Sequence, residues 1–305
     1  MARASGPAPE CRGWRHWQRR GKLPPVFPTD ASPLFQVTRL LTTTLVEVID
    51  SVHDGHGHDV AQEMAAATLV LPYRGLFECH VGDERVVAEP NQVLLLNAGV
   101  PVRFSHPVPG GHASLHLTID PSVLRELPPP GLLQQGEVVR FTRHRLRIDP
   151  RAQALTAMLR YSLIQGIAEP LEAESLALTL AQRALGPRTA HLAEGRLGQQ
   201  KLVDRVKLVL STDLSRRWTL AEIAAETGGS PVYLTQMFRE VEGVPLYRYQ
   251  TRLRLARALD LMADYDDLTA LGLELGFSSH SHFTAAFRQA YGRSPTEFRQ
   301  SVLKR

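Results

Sequence analysis

One group of side chains in the N-terminal half has the residue types and spacing of a metal site. His56, His58 and Glu63 follow one another as His-x-His-x4-Glu. On a strand, the two histidines of this pattern point to one face, and imidazole and carboxylate groups are common ligands of divalent cations. The glycines and aspartates around them favour a loop instead. We therefore expect no bound metal, and keep the three residues as a possible effector or metal site.

Further histidines occur where the sequence predicts strands. His116 alternates with leucines, which places it on one face of a strand as a ligand contact or a solvent-facing residue. His80 is a second possible effector contact, whereas His106 and His112 are expected to be structural. No phosphate-binding or dinucleotide-binding glycine motif and no ordered serine, histidine and aspartate set is present. The sequence thus predicts no catalytic residue and no cofactor, and a protein that is not an enzyme.

A second pattern lies nearer the C-terminus, where one arrangement of residues occurs twice. Gly228 and Gly276 are 48 positions apart, and Phe238 and Phe287 are 49 positions apart. Each copy contains a turn glycine, a serine after it and a Phe-Arg pair. A self-similar spacing of this length indicates one supersecondary unit that is used twice.

Each unit reads as a helix, a tight glycine turn and a second helix. Thr219 and Glu222 form a capping box for the first helix, and Ser230 caps the next one with a proline at its first position. In the second unit, Ser278 or Ser279 caps the corresponding helix. This is helix-turn-helix geometry, in which the second helix can lie in the major groove of DNA.

The helix predicted between the two units and the charge around it support a polyanionic partner. An apolar stripe is surrounded by arginines at positions 248, 252, 254 and 257. Such a helix could hold two reading helices in successive major grooves, about 34 Å apart. Residues 196–305 contain 16 Lys+Arg and 12 Asp+Glu, whereas residues 1–195 contain 19 of each. This distribution favours nucleic acid binding at one end of the molecule.

The elements that precede the repeat fall into a strand region and a helical region. Between residues 67 and 119, turn signals interrupt short apolar runs about every ten residues, which is typical of a small antiparallel barrel or sandwich. After Pro128-Pro129-Pro130 the apolar period becomes helical, with leucines at 155, 159 and 163 and a second helix opened by Pro170. These helices either pack on the barrel as core or form a dimer interface. Both interpretations remain open at this point.

The motifs of the repeat resemble a known family. The runs of residues that carry the resemblance are Trp218-Thr219-Leu220-Ala221-Glu222-Ile223-Ala224, Ser230-Pro231, Met237-Phe238-Arg239, Gly276-Phe277-Ser278-Ser279, Ala286-Phe287-Arg288 and Gly292-Arg293-Ser294-Pro295. Residues 218–299 are in this way similar to the DNA-binding domain of AraC/XylS-type transcriptional regulators. The resemblance implies a cupin-like sensor barrel over about residues 35–120, for which Pro90-Asn91 and the run His106 to Gly111 give a weaker match.

The expected fold class is α+β, with an N-terminal cupin-like antiparallel β-barrel, a helical connector and a C-terminal all-α domain with two helix-turn-helix motifs. The expected segments are a disordered basic tail (1–30), an effector-sensing barrel (31–125), a helical dimerisation segment (126–185), a linker (186–199) and a double helix-turn-helix DNA-binding domain (200–305). With only two cysteines and no long apolar run, a cytoplasmic protein without a membrane span is expected.

The resemblance implies a sequence-specific regulator, with activation as the expected sign. Its partners would be double-stranded DNA, a small-molecule effector, RNA polymerase and a second copy of the chain. The alternative is a cupin-type metal-dependent enzyme or metal sensor fused to a DNA-binding domain. Stoichiometric metal in the N-terminal half would favour that alternative.

Alignment of the two units predicts which side chains meet DNA. The base-facing positions are Val232, Thr235 and Gln236 in the first unit and His280, Ser281, Thr284 and Ala285 in the second. Ser230, Arg239, Ser279 and Arg288 are predicted to contact phosphate or to cap helices. Members of the family often carry arginine where this chain has Gln236 and Ala285. Because glutamine matches the donor and acceptor of adenine, we expect a preference for A·T pairs at these contacts.

Overall fold

The computed structural model describes residues 35–53, 60–186 and 197–303. Its strands are β1 (Phe35–Thr42), β2 (Val46–His53), β3 (Val60–Glu63), β4 (Thr68–Gly75), β5 (Phe77–Val81), β6 (Glu84–Ala88), β7 (Gln92–Leu96), β8 (Pro101–Ser105), β9 (His112–Ile119) and β10 (Arg145–Arg147). Its helices are α1 (Pro121–Leu124), α2 (Pro150–Ile164), α3 (Pro170–Leu185), α4 (Leu197–Thr212), α5 (Leu220–Thr227), α6 (Pro231–Glu242), α7 (Leu246–Leu261), α8 (Leu268–Glu274), α9 (His280–Tyr291) and α10 (Pro295–Val302). The predicted tail and most of the predicted linker lie outside these ranges.

The strands form two antiparallel sheets. The larger has the order β1-β2-β9-β4-β7-β10, and the smaller has the order β3-β8-β5-β6. Strands β5 and β6 pair as a hairpin, and Gly82 in its turn has a φ of 57°. Strand β10 was not predicted, and it extends the larger sheet beyond β7 from within the segment expected to be helical. The α+β fold class with its sheet domain and helical domain is confirmed.

The larger sheet is covered on both faces, so the N-terminal half has three layers. One face packs on the smaller sheet through side chains such as Ile49, Val70 and Phe77. The other face packs on α2 and α3 through side chains such as Leu69 and Leu115. Every residue of β9 is therefore buried. His116 lies on this strand, which excludes the solvent-facing position that the sequence left open for it.

The leucine stripe of α2 belongs to the core of its own chain. Leu159 has no exposed surface, and Leu155 and Leu163 pack against the same cluster beneath the larger sheet. This is the first of the two interpretations that the sequence allowed, and it corrects the expectation that this stripe forms a dimer interface. Burying a Leu side chain in this way stabilises the fold by about 1.5–3 kcal/mol.

The opposite face of α2 enters a second core. Ala154, Ala157 and Tyr161 pack with the C-terminal half of α7 and with α8 to α10. The Tyr161 hydroxyl donates to the carbonyl oxygens of Leu259 (2.9 Å) and Asp260 (2.6 Å). One helix thus contributes to the core of the sheet domain and to the core of the second helix-turn-helix unit.

The helical domain has two cores that share α7. The N-terminal half of α7 packs with α4 to α6, and its C-terminal half packs with the second unit. In the second unit, α8 and α9 cross closely because Gly272 has no side chain, and a Cβ atom there would lie 2.9 Å from the ring of Phe283. Within the described ranges, none of the helices has both the length and the apolar character that a membrane crossing requires.

Candidate functional site

The first reading helix, α6, is fixed by its cap and by its apolar face. The Ser230 hydroxyl oxygen accepts a hydrogen bond from the Tyr233 backbone N–H at 3.2 Å, with a proline at the first helical position. Leu234, Met237 and Phe238 are buried against the rest of the unit. The spacing of these three residues leaves the opposite face of α6 in solvent.

That exposed face carries the predicted base-facing residues. Val232, Thr235, Gln236 and Arg239 line one shallow concave surface together with Glu240. Val232 is 78% exposed, which is unusual for an apolar side chain and suits contact with a thymine methyl group. The Thr235 hydroxyl donates to the Pro231 carbonyl (2.9 Å), and the Gln236 amide donates to the Glu240 carboxylate (3.2 Å). Gln236 must exchange this bond to contact a base.

The second reading helix, α9, has the same construction. The Ser279 hydroxyl accepts from the His282 backbone N–H at 3.1 Å, while Ser278 bonds the His282 ring. Of the two serines that the sequence left as alternatives, Ser279 is therefore the one that caps the helix. His280 and Ser281 are exposed.

The side chains of α9 are bonded among themselves. The two ring nitrogens of His280 lie 3.2 Å from the Thr269 hydroxyl and 3.3 Å from the half-buried Thr284 hydroxyl. Ala285 and Arg288 are exposed further along the helix. The predicted base-facing residues of this unit therefore share one face, with the imidazole of His280 as its largest polar group.

Not all four arginines that surround the apolar stripe of α7 are free to contact a partner, because two of them are bonded within the chain. Arg254 is buried, and its guanidinium donates to the backbone carbonyls of Leu214 (2.6 Å), Ser215 (3.2 Å), Arg216 (3.0 Å) and Gly276 (3.0 Å). Arg257 pairs with the buried carboxylate of Asp260. Arg254 thereby ties the loop before α5 to the turn of the second unit, whereas Arg248 is exposed.

A buried ion network joins the sheet domain to α7. Asp260 of α7 accepts from Arg74 of β4 (2.8 and 3.2 Å) and lies 3.7 Å from Arg160 of α2. Arg160 in turn donates to Asp50 of β2 at 3.2 Å, and Asp50 also accepts from the Tyr73 hydroxyl at 2.7 Å. Burial raises the pKa of Tyr73 and the Asp50 charge raises it further, so the phenol stays a neutral donor.

A second network lies around Lys207 of α4, which has no exposed surface. Its ammonium is 2.8 Å from a carboxylate oxygen of Glu242 in α6 and 3.7 Å from one of Glu89 in the sheet domain. Arg147 of β10 also pairs with Glu242 at 3.0 Å. Burial would raise the pKa of Glu242, but the positive charges of Lys207 and Arg147 hold that pKa below its usual value. The pKa of Glu89 is raised, because the effect of burial is the larger one there.

A small cavity lies between the two sheets. Phe35, Phe77, Phe104 and His116 are among its lining residues, and its interior space is about 10 Å³, room for about one water molecule. The His116 ring bonds the Ser114 hydroxyl at 3.0 Å, and burial lowers the pKa of His116 to about 3. Of the predicted effector contacts, His116 is the one that lines this cavity.

Of the other predicted effector or metal residues, the structure describes Glu63 and His80, and it does not bring these two together. Glu63 ends β3 with an exposed side chain, and His80 lies half-exposed on β5, 3.7 Å from the Glu78 carboxylate. His56 and His58 lie outside the described residues. The structure instead groups His53, His106 and His112, of which sequence reasoning treated two as structural and did not single out the first.

Comparisons with known proteins agree with this two-part construction. The family model of an AraC-like ligand binding domain matches residues 46–181, and that of a helix-turn-helix domain matches residues 223–301. The probable transcriptional regulator LumQ of Photobacterium leiognathi is 26% identical over 83% of this chain and 94% of its own length. The regulator GadX of an Escherichia coli strain is 35% identical, over 33% of this chain and 37% of GadX. A solved AraC-type DNA-binding protein from Chromobacterium violaceum is 26% identical over 35% of this chain and 96% of that chain, with a TM-score of 0.33.

Proposed function

This chain belongs to the AraC-type family of DNA-binding transcriptional regulators, with a ligand-binding N-terminal domain, and we propose that it reads its operator through α6 and α9 in successive major grooves. The observation that carries the proposal is the pair of matched, serine-capped helices whose predicted base-facing residues lie together on exposed faces. Arg239 and Arg288, exposed in the last turn of each reading helix, serve as phosphate contacts. The two arginines occupy equivalent places in the two units.

The first reading helix supplies most of the base specificity. Gln236 has a donor and an acceptor that match N7 and N6 of adenine, and Val232 can pack on a thymine methyl. In the second helix, His280 is already bonded to Thr269 and Thr284. The half-site under α9 should therefore tolerate more substitutions than the half-site under α6.

Selection of sites from random duplexes by the full-length protein tests this proposal. Gln236→Ala should cost about 1–3 kcal/mol of binding free energy and remove the preference at one base pair of an A·T-containing half-site. Arg239→Ala is the matched control on the same helix. It should weaken all sequences alike and reduce the slope of log affinity against log salt by about 1. A guanine-dominated half-site that Gln236→Ala leaves unchanged would place other residues in the groove.

The N-terminal domain acts by binding an effector and not by catalysis. The support for this role is the match of residues 46–181 to an AraC-like ligand binding domain, because the cavity between the sheets, at about 10 Å³, has room for only about one water molecule. The two buried ion networks connect this domain to α4, α6 and α7, so a ligand that shifts the sheets also shifts the helices that carry the reading surfaces. This contact is the route by which an effector changes DNA binding, and RNA polymerase would be the partner in activation.

A cytoplasmic homodimer completes the proposal, and its interface is the outer face of α3. Leu171 is 77% exposed, and Leu178, seven residues later on the same side of the helix, is half-buried at the edge of the sheet-domain core. The inner face of α3 is occupied by Ala173, Ala177 and neighbouring small residues in the core of the sheet domain. Two such helices from two copies can pack along this stripe, because an i, i+7 leucine pair presents the seam of a short coiled coil.

A further inference from the structure

Three histidines from three parts of the chain meet at one end of the sheet domain. His53 is the last residue of β2, and His112 is the first residue of β9, where the two pair directly in register. His106 directly follows β8, and the chain then turns back to His112. All three side chains are buried, and one ring nitrogen from each lies within 4.8 Å of the others.

The backbone at this end of the sandwich is closely packed. Gly75 of β4 pairs with His112 and has a φ of 72°. A Cβ atom at Gly75 would lie 2.2 Å from the Gly111 carbonyl oxygen, so the turn that ends at His112 rests directly on β4. The position of His112 is therefore fixed from both neighbouring strands, by His53 on one side and Gly75 on the other.

The three rings lie against one another. The Nε2 atom of His106 is 2.6 Å from the Nδ1 atom of His112, so one ring donates a hydrogen bond to the other. The His53 ring stacks on the His106 ring with 4.2 Å between their centroids. A ring nitrogen that carries no proton is the one that binds a metal ion.

We propose that His53, His106 and His112 form a binding site for a divalent d-block cation of the Zn²⁺ class, with a water molecule in the fourth position. Metal–nitrogen bonds of about 2.0–2.1 Å in a tetrahedral site require nitrogens about 3.3 Å apart. The His106 and His112 nitrogens reach this separation by opening less than about 1 Å, and rotation of the His53 ring from its stacked position brings in the third ligand.

The surroundings of the cluster suit a metal ion with its water. His53 and His112 also line the cavity between the sheets, whose 10 Å³ hold about one water molecule. Phe77 and Phe104 lie against His112, with ring centroids 3.9 and 6.3 Å away. An apolar shell of this kind limits solvent access to a metal site. Three imidazoles without a carboxylate select Zn²⁺, Co²⁺, Ni²⁺ or Cu²⁺ over Mg²⁺ or Ca²⁺.

Titration of the chelator-treated full-length protein with Co²⁺ tests the site, because tetrahedral Co²⁺ absorbs visible light and Zn²⁺ then displaces it. We expect one equivalent to bind. His53→Gln and His106→Gln should each weaken binding by about 100-fold or more, since even the loss of an outer-shell partner costs 10–100-fold. The matched control is the double variant His56→Gln, His58→Gln, which changes the His-x-His pattern and should leave the affinity unchanged.

X-ray absorption of the Zn²⁺-loaded wild-type protein gives a measurement that needs no variant. Three imidazole ligands and one oxygen are expected. Fewer imidazoles, loss of binding in the control variant alone, or no stoichiometric Co²⁺ or Zn²⁺ would overturn the proposal. Binding of DNA by the metal-free protein is measured separately, so that a failure of the metal site is distinguished from a failure of the proposed DNA readout.

Discussion

Burial decides what each arginine of the helical domain does. The planar guanidinium of Arg254 reaches carbonyls in two separate loops because it offers five N–H donors in a fixed fork, and a lysine ammonium in its place could not span them. Arg239 has the same chemistry, but its guanidinium is exposed on α6, where we propose that it contacts a phosphate. On α7, Arg254 is buried and Arg257 pairs with Asp260, whereas Arg248 is exposed.

The capping box of α5 gives a pH-dependent contribution to stability. Bonds from the Thr219 backbone and hydroxyl, with a further bond from Arg216, lower the pKa of Glu222 from 4.5 to about 2. Because the pKa is lower in the folded state, ionised Glu222 stabilises the fold above about pH 4.5, and this contribution is lost as the pH falls towards 2. Glu222→Gln keeps the shape of the cap without its charge. It should lower the free energy of unfolding at pH 7, and the difference from wild type should shrink between pH 4.5 and 2.

Denaturant unfolding of both proteins at a series of pH values measures this difference. Glu226→Gln is the control, since Glu226 lies exposed on the same helix. A wild-type minus Glu222→Gln difference that stays constant from pH 7 to pH 2 would show that the charge of Glu222 does not stabilise the cap.

Residue types and local spacing predict only those sites whose members lie close in sequence. The caps at Ser230 and Ser279 were readable because a cap and its bonded N–H are three residues apart. The histidine cluster was not, since His53 and His112 are adjacent only through the pairing of β2 with β9. The spacing His-x-His at 56 and 58 was the stronger local signal. It carries no information about strand register, which long-range packing determines.

At the scale of elements, the turn of the second helix-turn-helix unit depends on Gly276 for two reasons. Its φ of 84° favours glycine, and an added Cβ atom would lie 2.2 Å from the Ser215 carbonyl oxygen. Gly292 has a similar φ of 78°, but no atom lies within 4 Å of its Cβ position. A comparison of substitutions at the two glycines therefore distinguishes the cost of backbone strain from the cost of a steric clash.

Gly292→Ala should lower the free energy of unfolding by about 1–2 kcal/mol, the cost of a left-handed backbone. Gly276→Ala should cost clearly more, because the loop at Ser215 must also move and two of the Arg254 bonds are strained. Denaturant unfolding of the two variants measures both values. Equal losses would mean that the loop yields without cost and that the close approach does not hold the two units together.

Among the elements that were not predicted, β10 and α10 were missed for different reasons. Strand β10 is only three residues long, which is too short to show an alternating pattern. It forms a strand because it pairs with β7. Helix α10 had a readable signal, since Ser294, Pro295 and Glu297 form a capping box with proline at the first position. That run contributed only to the family resemblance, and its local chemistry would have predicted the helix.

At the scale of the whole molecule, the proposed dimer makes a prediction that distinguishes the exposed leucine of α3 from the buried leucine stripe of α2. Leu171→Glu places charge on the exposed part of the outer face of α3 and should yield a folded monomer, whereas Leu178 is left unchanged because it packs against the core. Leu159→Glu is the matched comparison, and it should unfold the sheet domain because Leu159 is fully buried. Sedimentation at micromolar concentration with circular dichroism distinguishes these results. A monomeric wild type, or a Leu171→Glu variant that stays dimeric, contradicts the proposed interface.

Because α2 completes the core of the second helix-turn-helix unit, the stability of that unit should depend on a helix outside the DNA-binding domain. Tyr161→Ala removes a buried ring and the two bonds to the end of α7, which should cost about 3–5 kcal/mol. Tyr161→Phe is the control that removes only the hydroxyl, at a cost of about 1 kcal/mol. Calorimetry of Tyr161→Ala should then show the helical domain melting separately and at a lower temperature. Its affinity for DNA should fall most for operators that are altered in the α6 half-site, because binding to them relies on α9. Unchanged melting and binding in Tyr161→Ala would mean that α2 only rests on the second unit, and that an effector signal must reach α9 through the ion networks alone.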